Sequence, residues 1–404
     1  MAPLTARLLA VLWFALAGLS AARAQKETLP VLAWFGPPAG EATVERYREL
    51  AAAGFTQSFS SFPNADAMQR ALDAAQEAGV HLWLSVPELQ SDPEKTVQRF
   101  RAHPALAGYY LRDEPGAADF AALGTWVKRI QAVDAAHPCY INLFPNYANA
   151  GQLGAPNYEE HVRRFVAEVP VPFLSFDHYP VVGKSLRSEW YGNLEIISRA
   201  ATAAKKPFWA FVLAVAHGPY PVPTIEHLRL QAYSDLLYGA QGIEYFTYWT
   251  PKDSTWNFHQ APIETDGKKT AVYDLVKQLN GEIRGLSPVF LGAHVLRVGH
   301  LGPVPPGAAV FEPAAPVREV RADGPALVSR LENRDGQYLA IMNRALEGPA
   351  RHVTIRFDLP QFERIGKDGS STPMNTSVVD VEIPPGDVIV YRWKSETPPA
   401  NPKN

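Results

Sequence analysis

Between residues 29 and 285, short apolar runs alternate with stretches whose apolar residues recur at helical spacing. The apolar runs cover 29–35, 55–62, 80–86, 108–113, 139–144, 172–177, 207–215 and 243–249. The helical patterns cover 41–53, 64–79, the stretch opened by Asp92 and Pro93, then 117–135, 158–167, 189–204, 224–238 and 269–284. Punctuation agrees with this division. Gly54 and Gly79 stop helices, Asn64 is a good N-cap, and Asp92-Pro93 supplies a cap with a first-turn proline. Eight strand–helix units in this length predict a (β/α)8 barrel. A doubly wound open sheet would carry a Gly-rich phosphate turn after an early strand, and none is present.

Beyond Pro288 the helical period gives way to alternating strands at 326–331, 338–342, 352–357, 378–383 and 388–393, separated by turns such as Asp335-Gly336 and Pro385-Gly386. This pattern predicts a small antiparallel β-sandwich whose Pro/Gly-rich stretch 302–316 is an exposed loop. At the other end, Arg7 precedes an apolar run over 8–19 and Ala22-Arg-Ala24 follows, the pattern of a secretory signal peptide cleaved after Ala24. The division expected is a signal peptide at 1–24, a barrel at 25–290, a sandwich at 291–395 and a disordered tail at 396–404. The mature chain is expected to be exported, either periplasmic or secreted, with no membrane association after cleavage.

Composition narrows the classes of function. The net charge of −3 gives no basic stripe for nucleic acid, so none is expected as a partner. One cysteine, Cys139, cannot form an internal disulfide, and its place at the start of a strand makes it a buried structural thiol. Metal-ligand, P-loop and nucleophile-elbow patterns are absent, so no metal, no cofactor and no esterase chemistry are expected.

In a barrel the chemistry sits at the carboxyl ends of the strands. The fourth strand ends in Arg112-Asp-Glu-Pro115, two adjacent carboxylates before a proline. Neighbouring strand side chains point to opposite sides, so one of Asp113 and Glu114 should face the pocket while the other braces the loop. The remaining strand ends offer Trp34, Glu88, Asn142, Asp177, Tyr179, His217 and Trp249. Trp256 and Glu264 lie on the long loop after the eighth strand. Carboxylates, amides and indoles converging on one mouth suit a carbohydrate, with aromatic faces packing on sugar rings and polar groups binding hydroxyls. Glycoside hydrolysis needs two carboxyl groups across the scissile bond. Each candidate has a plain structural alternative: Trp34 and Trp249 as core fillers, Glu88 as a solvent-facing loop residue, His217 as a cap, and Asp177 as a partner orienting His178 or Tyr179.

Asp113-Glu-Pro115 after strand four, Tyr245-Phe-Thr-Tyr-Trp249 at strand eight, the export signal and the trailing β-domain together resemble the clan A glycoside hydrolases. Asp266-Gly-Lys268 and Tyr273 are similar to the segment after the last strand in family 42 β-galactosidase-like members. The resemblance implies Glu114 as general acid, Asp113 in the place of an asparagine that contacts the sugar 2-hydroxyl, and Trp249 as a sugar platform. It also implies a nucleophilic Glu at the end of strand seven, where this chain reads Phe211-Val-Leu-Ala-Val-Ala-His217. Glu226 lies beyond, in a helical first turn where an acid favours the dipole. The second carboxylate is then Asp177, as the base of an inverting reaction across a wide separation, or Glu264. The function expected is an exported glycosidase acting on a β-linked oligo- or polysaccharide. A non-catalytic glycan-binding protein on the same barrel is the competing expectation, and a lyase is a third.

Overall fold

The computed structural model describes residues 28–253 and 255–394; the expected signal peptide and polar tail lie outside the described residues. The apolar runs form eight parallel strands: β1 Val31–Trp34, β2 Gln57–Phe59, β3 His81–Leu84, β4 Leu106–Asp113, β5 Cys139–Leu143, β6 Leu174–Phe176, β7 Phe208–Leu213 and β8 Ile243–Phe246. They close in sequential order, with β1 paired to both β2 and β8, so the molecule carries a (β/α)8 barrel. The principal helices are α1 Val44–Ala52, α2 Ala65–Ala78, α3 Pro93–Phe100, α4 Phe120–Val133, α5 Tyr158–Glu168, α6 Trp190–Ala204, α7 Ile225–Leu237 and α8 Ala271–Phe290. Asn64 and Asp92 accept the backbone N–H groups that open α2 and α3, and Gly79 closes α2 in the left-handed conformation at φ 70°. α8 runs through Pro288, where a break was expected, and ends at Phe290.

Two faces of the strands pack differently. Outward residues meet the helices in a large aliphatic core. Inward residues form a separate aromatic cluster that includes Leu32, Trp34, Phe59, Trp83, Tyr140, Phe173, Trp209 and Phe211. Rings this large fill the barrel lumen from few positions, so the interior is a plug rather than a pore. Cys139 is buried at the amino end of β5 and its thiol is pushed up to about 12, mainly by burial.

The C-terminal strands form a sandwich. A six-stranded sheet runs β9 (His294–Leu301), β11 (Ala326–Asn333), β12 (Gly336–Asn343), β17 (Val388–Trp393), β14 (Phe362–Ile365) and β15 (Ser371–Met374). A three-stranded sheet runs β10 (Val317–Ala322), β13 (Arg351–Phe357) and β16 (Val378–Ile383). Four of these strands, β9, β10, β14 and β15, have no counterpart in the alternation read from sequence. One face of the larger sheet packs on α7 and α8, where Leu327, Leu331, Tyr338, Ala340 and Met342 join the barrel's outer core. Gly285 permits the closest approach, since a Cβ there would stand 2.2 Å from the Lys367 carbonyl oxygen. The 302–316 stretch is a largely exposed loop, anchored by the buried ring of Phe311.

Candidate active site

The two adjacent carboxylates on β4 are presented by a break in strand regularity. Register against β5 slips by one residue between Tyr110 and Arg112, so Asp113 pairs with Asn142. A bulge of this kind re-aims the side chains that follow it. Arg112 turns outward to Asp119 at 3.5 Å, and Asp113 takes the inward position. Glu114 follows with φ 42°, a left-handed conformation that non-glycine residues rarely adopt, while its N–H still donates to the Asn142 carbonyl at 2.9 Å. Both carboxylates therefore line the cavity. The expectation that one would point away fails because strand alternation ends at the bulge.

That cavity, about 390 Å³, opens at the carboxyl ends of the strands. Asp113, Glu114, Asn142, Asp177, Tyr179, His217, Trp34 and Trp256 all line it. Its further walls are Tyr147, Tyr220, Phe246 and Phe258, with Gln152 at the edge. Trp34 lies buried at the floor, edge-on to Tyr110, while Trp256 stands at the rim with about half its surface exposed (54%). Tyr179 stacks on Phe246 at 5.6 Å. The His217 ring lies between Tyr220 and Phe258, and burial keeps it neutral by lowering its basicity.

Asn142 organises the acids. Its Nδ2 group donates to Asp113 Oδ1 at 3.0 Å and to Asp177 Oδ1 at 3.1 Å. Asp177 is buried, and its carboxyl stands beside that of Glu114, close enough for each to shift the other's ionisation. Two carboxyls so placed cannot both ionise cheaply, so the pair retains a proton. Burial and then the Asp113 charge push Glu114 up to about 7. Burial and then the Glu114 and Asp113 charges hold Asp177 well above the usual carboxylate range. Asp113 opens onto the cavity, and desolvation raises it against the opposing Asn142 hydrogen bond. An inverting pair was expected to stand across a wide gap; here Glu114 and Asp177 are near enough to influence each other's ionisation, with the Asn142 amide holding Asp177 in place.

Three expected site residues lie elsewhere. β3 stops at Leu84 and the chain coils into a short helix, Pro87–Ser91, so Glu88 turns back and accepts the Ala65 N–H that opens α2, at 3.0 Å. Trp249 is buried against α1, with the Arg46 guanidinium 5.2 Å from its ring centre. Glu264 staples its own loop, its carboxylate accepting the Gln260 N–H at 2.7 Å. Glu226 lies in the first turn of α7, behind the Thr224 cap. Among the wall residues, Tyr147 and Tyr220 escaped the sequence reading because they sit on βα loops with no periodic pattern. Two polar residues inside apolar strands did leave a signal, Ser175 on β6 and Glu244 on β8, and both face the barrel interior beneath Asn142.

No protein-family model and no curated protein sequence matches this chain. Solved structures do match its fold. The α-amylase of Geobacillus thermoleovorans, complexed with acarbose, superposes with a TM-score of 0.54 at 10% identity, covering 92% of this chain and 100% of that one. An Anoxybacillus α-amylase gives 0.53 at 11% identity, over 91% and 98%. A β-galactosidase from the psychrophilic Marinomonas ef1 gives 0.49 at 10% identity over 65% of this chain, which spans 60% of that enzyme's length. At these identities the likeness is one of fold: a (β/α)8 barrel with a β-sandwich, as found in glycoside hydrolases.

Proposed function

We propose that the protein hydrolyses a glycosidic bond in a carbohydrate seated in this cavity, with Glu114 as general acid and Asp177 as base or nucleophile. The observation that carries the reading is that Glu114 and Asp177 line one aromatic-walled cavity side by side, with both carboxyls raised so that the pair keeps a proton near neutral pH. A glycosidase needs one carboxyl that is still protonated at working pH and another that is free to ionise. Asp177 is fixed by Asn142, whereas Glu114 has the longer side chain and the less buried position. A sugar entering the site would part the pair, with Glu114 carrying the proton to the leaving oxygen. The ionised Asp177 then serves the anomeric carbon, through water at a separation of roughly 6.5–9.5 Å or directly at roughly 5–5.5 Å. Trp34, Tyr179 and Trp256 offer faces for the ring, and Asp113 and His217 offer partners for its hydroxyls. The resemblance at strand four supports a β-linkage, and the leader-like pattern at 1–24 supports periplasmic or secreted action.

One observation favours a second reading, binding without cleavage: the carboxylates lining the cavity are Asp113, Glu114 and Asp177, with none from the end of β7. Assay of the full chain on aryl β-glycosides and oligosaccharides separates the two. Hydrolysis should fall by about 10²–10⁴ in Glu114→Gln and in Asp177→Asn, with the fold intact. Full activity in either variant removes that residue from the mechanism. Saturable binding by the wild type without any product replaces the hydrolase with a binding protein.

A further inference from the structure

Beneath the acid pair lies a chain of buried polar groups that the proposed reaction does not use. Asn142 spends both Nδ2 hydrogens on Asp113 and Asp177, so its Oδ1 must accept. The Ser175 hydroxyl lies 3.0 Å from that oxygen, and it also lies 2.9 Å from Glu244 Oε2 and 3.3 Å from the Tyr140 hydroxyl. A serine has one proton to donate. If it donates to Asn142, the Glu244 oxygen beside it must be the donor, and Glu244 must be a carboxylic acid. An ionised Glu244 would claim the serine proton. Asn142 Oδ1 would then be left unsatisfied, or the amide would turn and present its oxygen to two aspartates.

We propose that Glu244 is a positioning residue, a neutral acid that donates through Ser175 to lock the Asn142 amide with its N–H groups toward Asp113 and Asp177. The surroundings agree. Glu244 is fully buried in the barrel lumen, its Oε1 has no hydrogen-bond partner, and burial pushes its carboxyl up to about 8. The titratable groups facing it are acids or phenols: Tyr140 on β5, Asp113 and Tyr110 on β4, and Asp235 on α7. Asp235 is itself buried, and desolvation raises its carboxyl well above the usual carboxylate range. None of these supplies a positive charge, and burial outweighs the Ser175 and Tyr140 hydrogen bonds that favour the ionised form.

The inference deepens the proposed function, so its test includes a readout that needs no turnover. Carbon-13 carboxyl NMR of the full chain follows the titration of Glu114 and Asp177. In Ser175→Ala and in Glu244→Leu the amide loses its lock, and the Asn142 donors that hold Asp113 and Asp177 down are weakened. The pair should then titrate higher by about one pH unit, with kcat/KM lower by roughly tenfold. Glu244→Gln keeps an N–H donor toward Ser175 and should retain both wild-type titration and wild-type kcat/KM. Wild-type titration in Ser175→Ala overturns the inference, and Ser175→Ala decides the matter if Glu244→Leu does not fold. A Glu244→Gln variant that titrates like Ser175→Ala overturns it as well. If no glycoside is cleaved but the titrations shift as stated, the positioning role stands and the hydrolase reading falls.

Discussion

Glu114 keeps its proton to about pH 7 because burial and the Asp113 charge both oppose its ionisation, and Asp177 beside it is raised for the same kinds of reason. Between the unfolded carboxylate value of about 4.3 and the folded value, the native state therefore binds more protons than the unfolded chain. Stability must fall as pH rises through that window, opposite in sign to a salt-bridged carboxylate. In urea unfolding the pair should contribute a loss of about 2 kcal/mol between pH 5 and pH 8. The double variant Glu114→Gln/Asp177→Asn should make that slope shallower by about this amount, the buried acids Glu244 and Asp235 keeping the remainder, and an unchanged slope would mean that the pair is not protonated in the fold. At this scale the site was half legible. Acids at strand ends are visible in the letters Asp113, Glu114 and Asp177. Their proximity depends on a single amide hydrogen-bonding across two strands, which no local pattern encodes.

The β4 strand shows what an element adds to its residues. Pattern reading places Asp113 and Glu114 on opposite faces, because alternation is a property of regular strands. A register slip after Tyr110 and a left-handed residue at 114 put both in the cavity. A non-glycine residue in that conformation carries about 1–2 kcal/mol of strain, and strain of this kind is characteristic of functional sites. Glu114→Gly should therefore raise the melting temperature by about 2 °C while abolishing glycoside cleavage, and a lower melting temperature would show that the turn is unstrained. Helix caps such as Asn64 and Asp92, and the Gly79 stop, were readable because each acts on its immediate neighbours. β9 was not, since His294, Leu296 and Arg297 are exposed and the strand carries no buried alternation. Glu88 and Trp249 were misplaced for a related reason: each lies just past its strand, where the chain has already turned.

In the whole molecule the barrel and the sandwich are joined by more than a linker. Apolar side chains of β11 and β12 belong to the same core as α7 and α8. A partly buried ionic cluster crosses the joint, with Arg229 on the barrel 3.6 Å from Asp387 on the sandwich and Lys367 on the sandwich 3.7 Å from Glu282 on the barrel. Such clusters specify how surfaces fit more than they add net stability. The site's own ionic asset is the proton held by the Glu114–Asp177 pair, and after burial the Glu114 charge is part of what keeps it on Asp177. A neutral sugar that wedges them apart relaxes that hold, so near pH 7 part of a proton passes to the buffer as the ligand arrives. Titration calorimetry of one sugar in buffers of differing ionisation enthalpy should return differing apparent heats, their slope counting the protons exchanged. A flat line would mean that the sugar sits beside a pair that never opens.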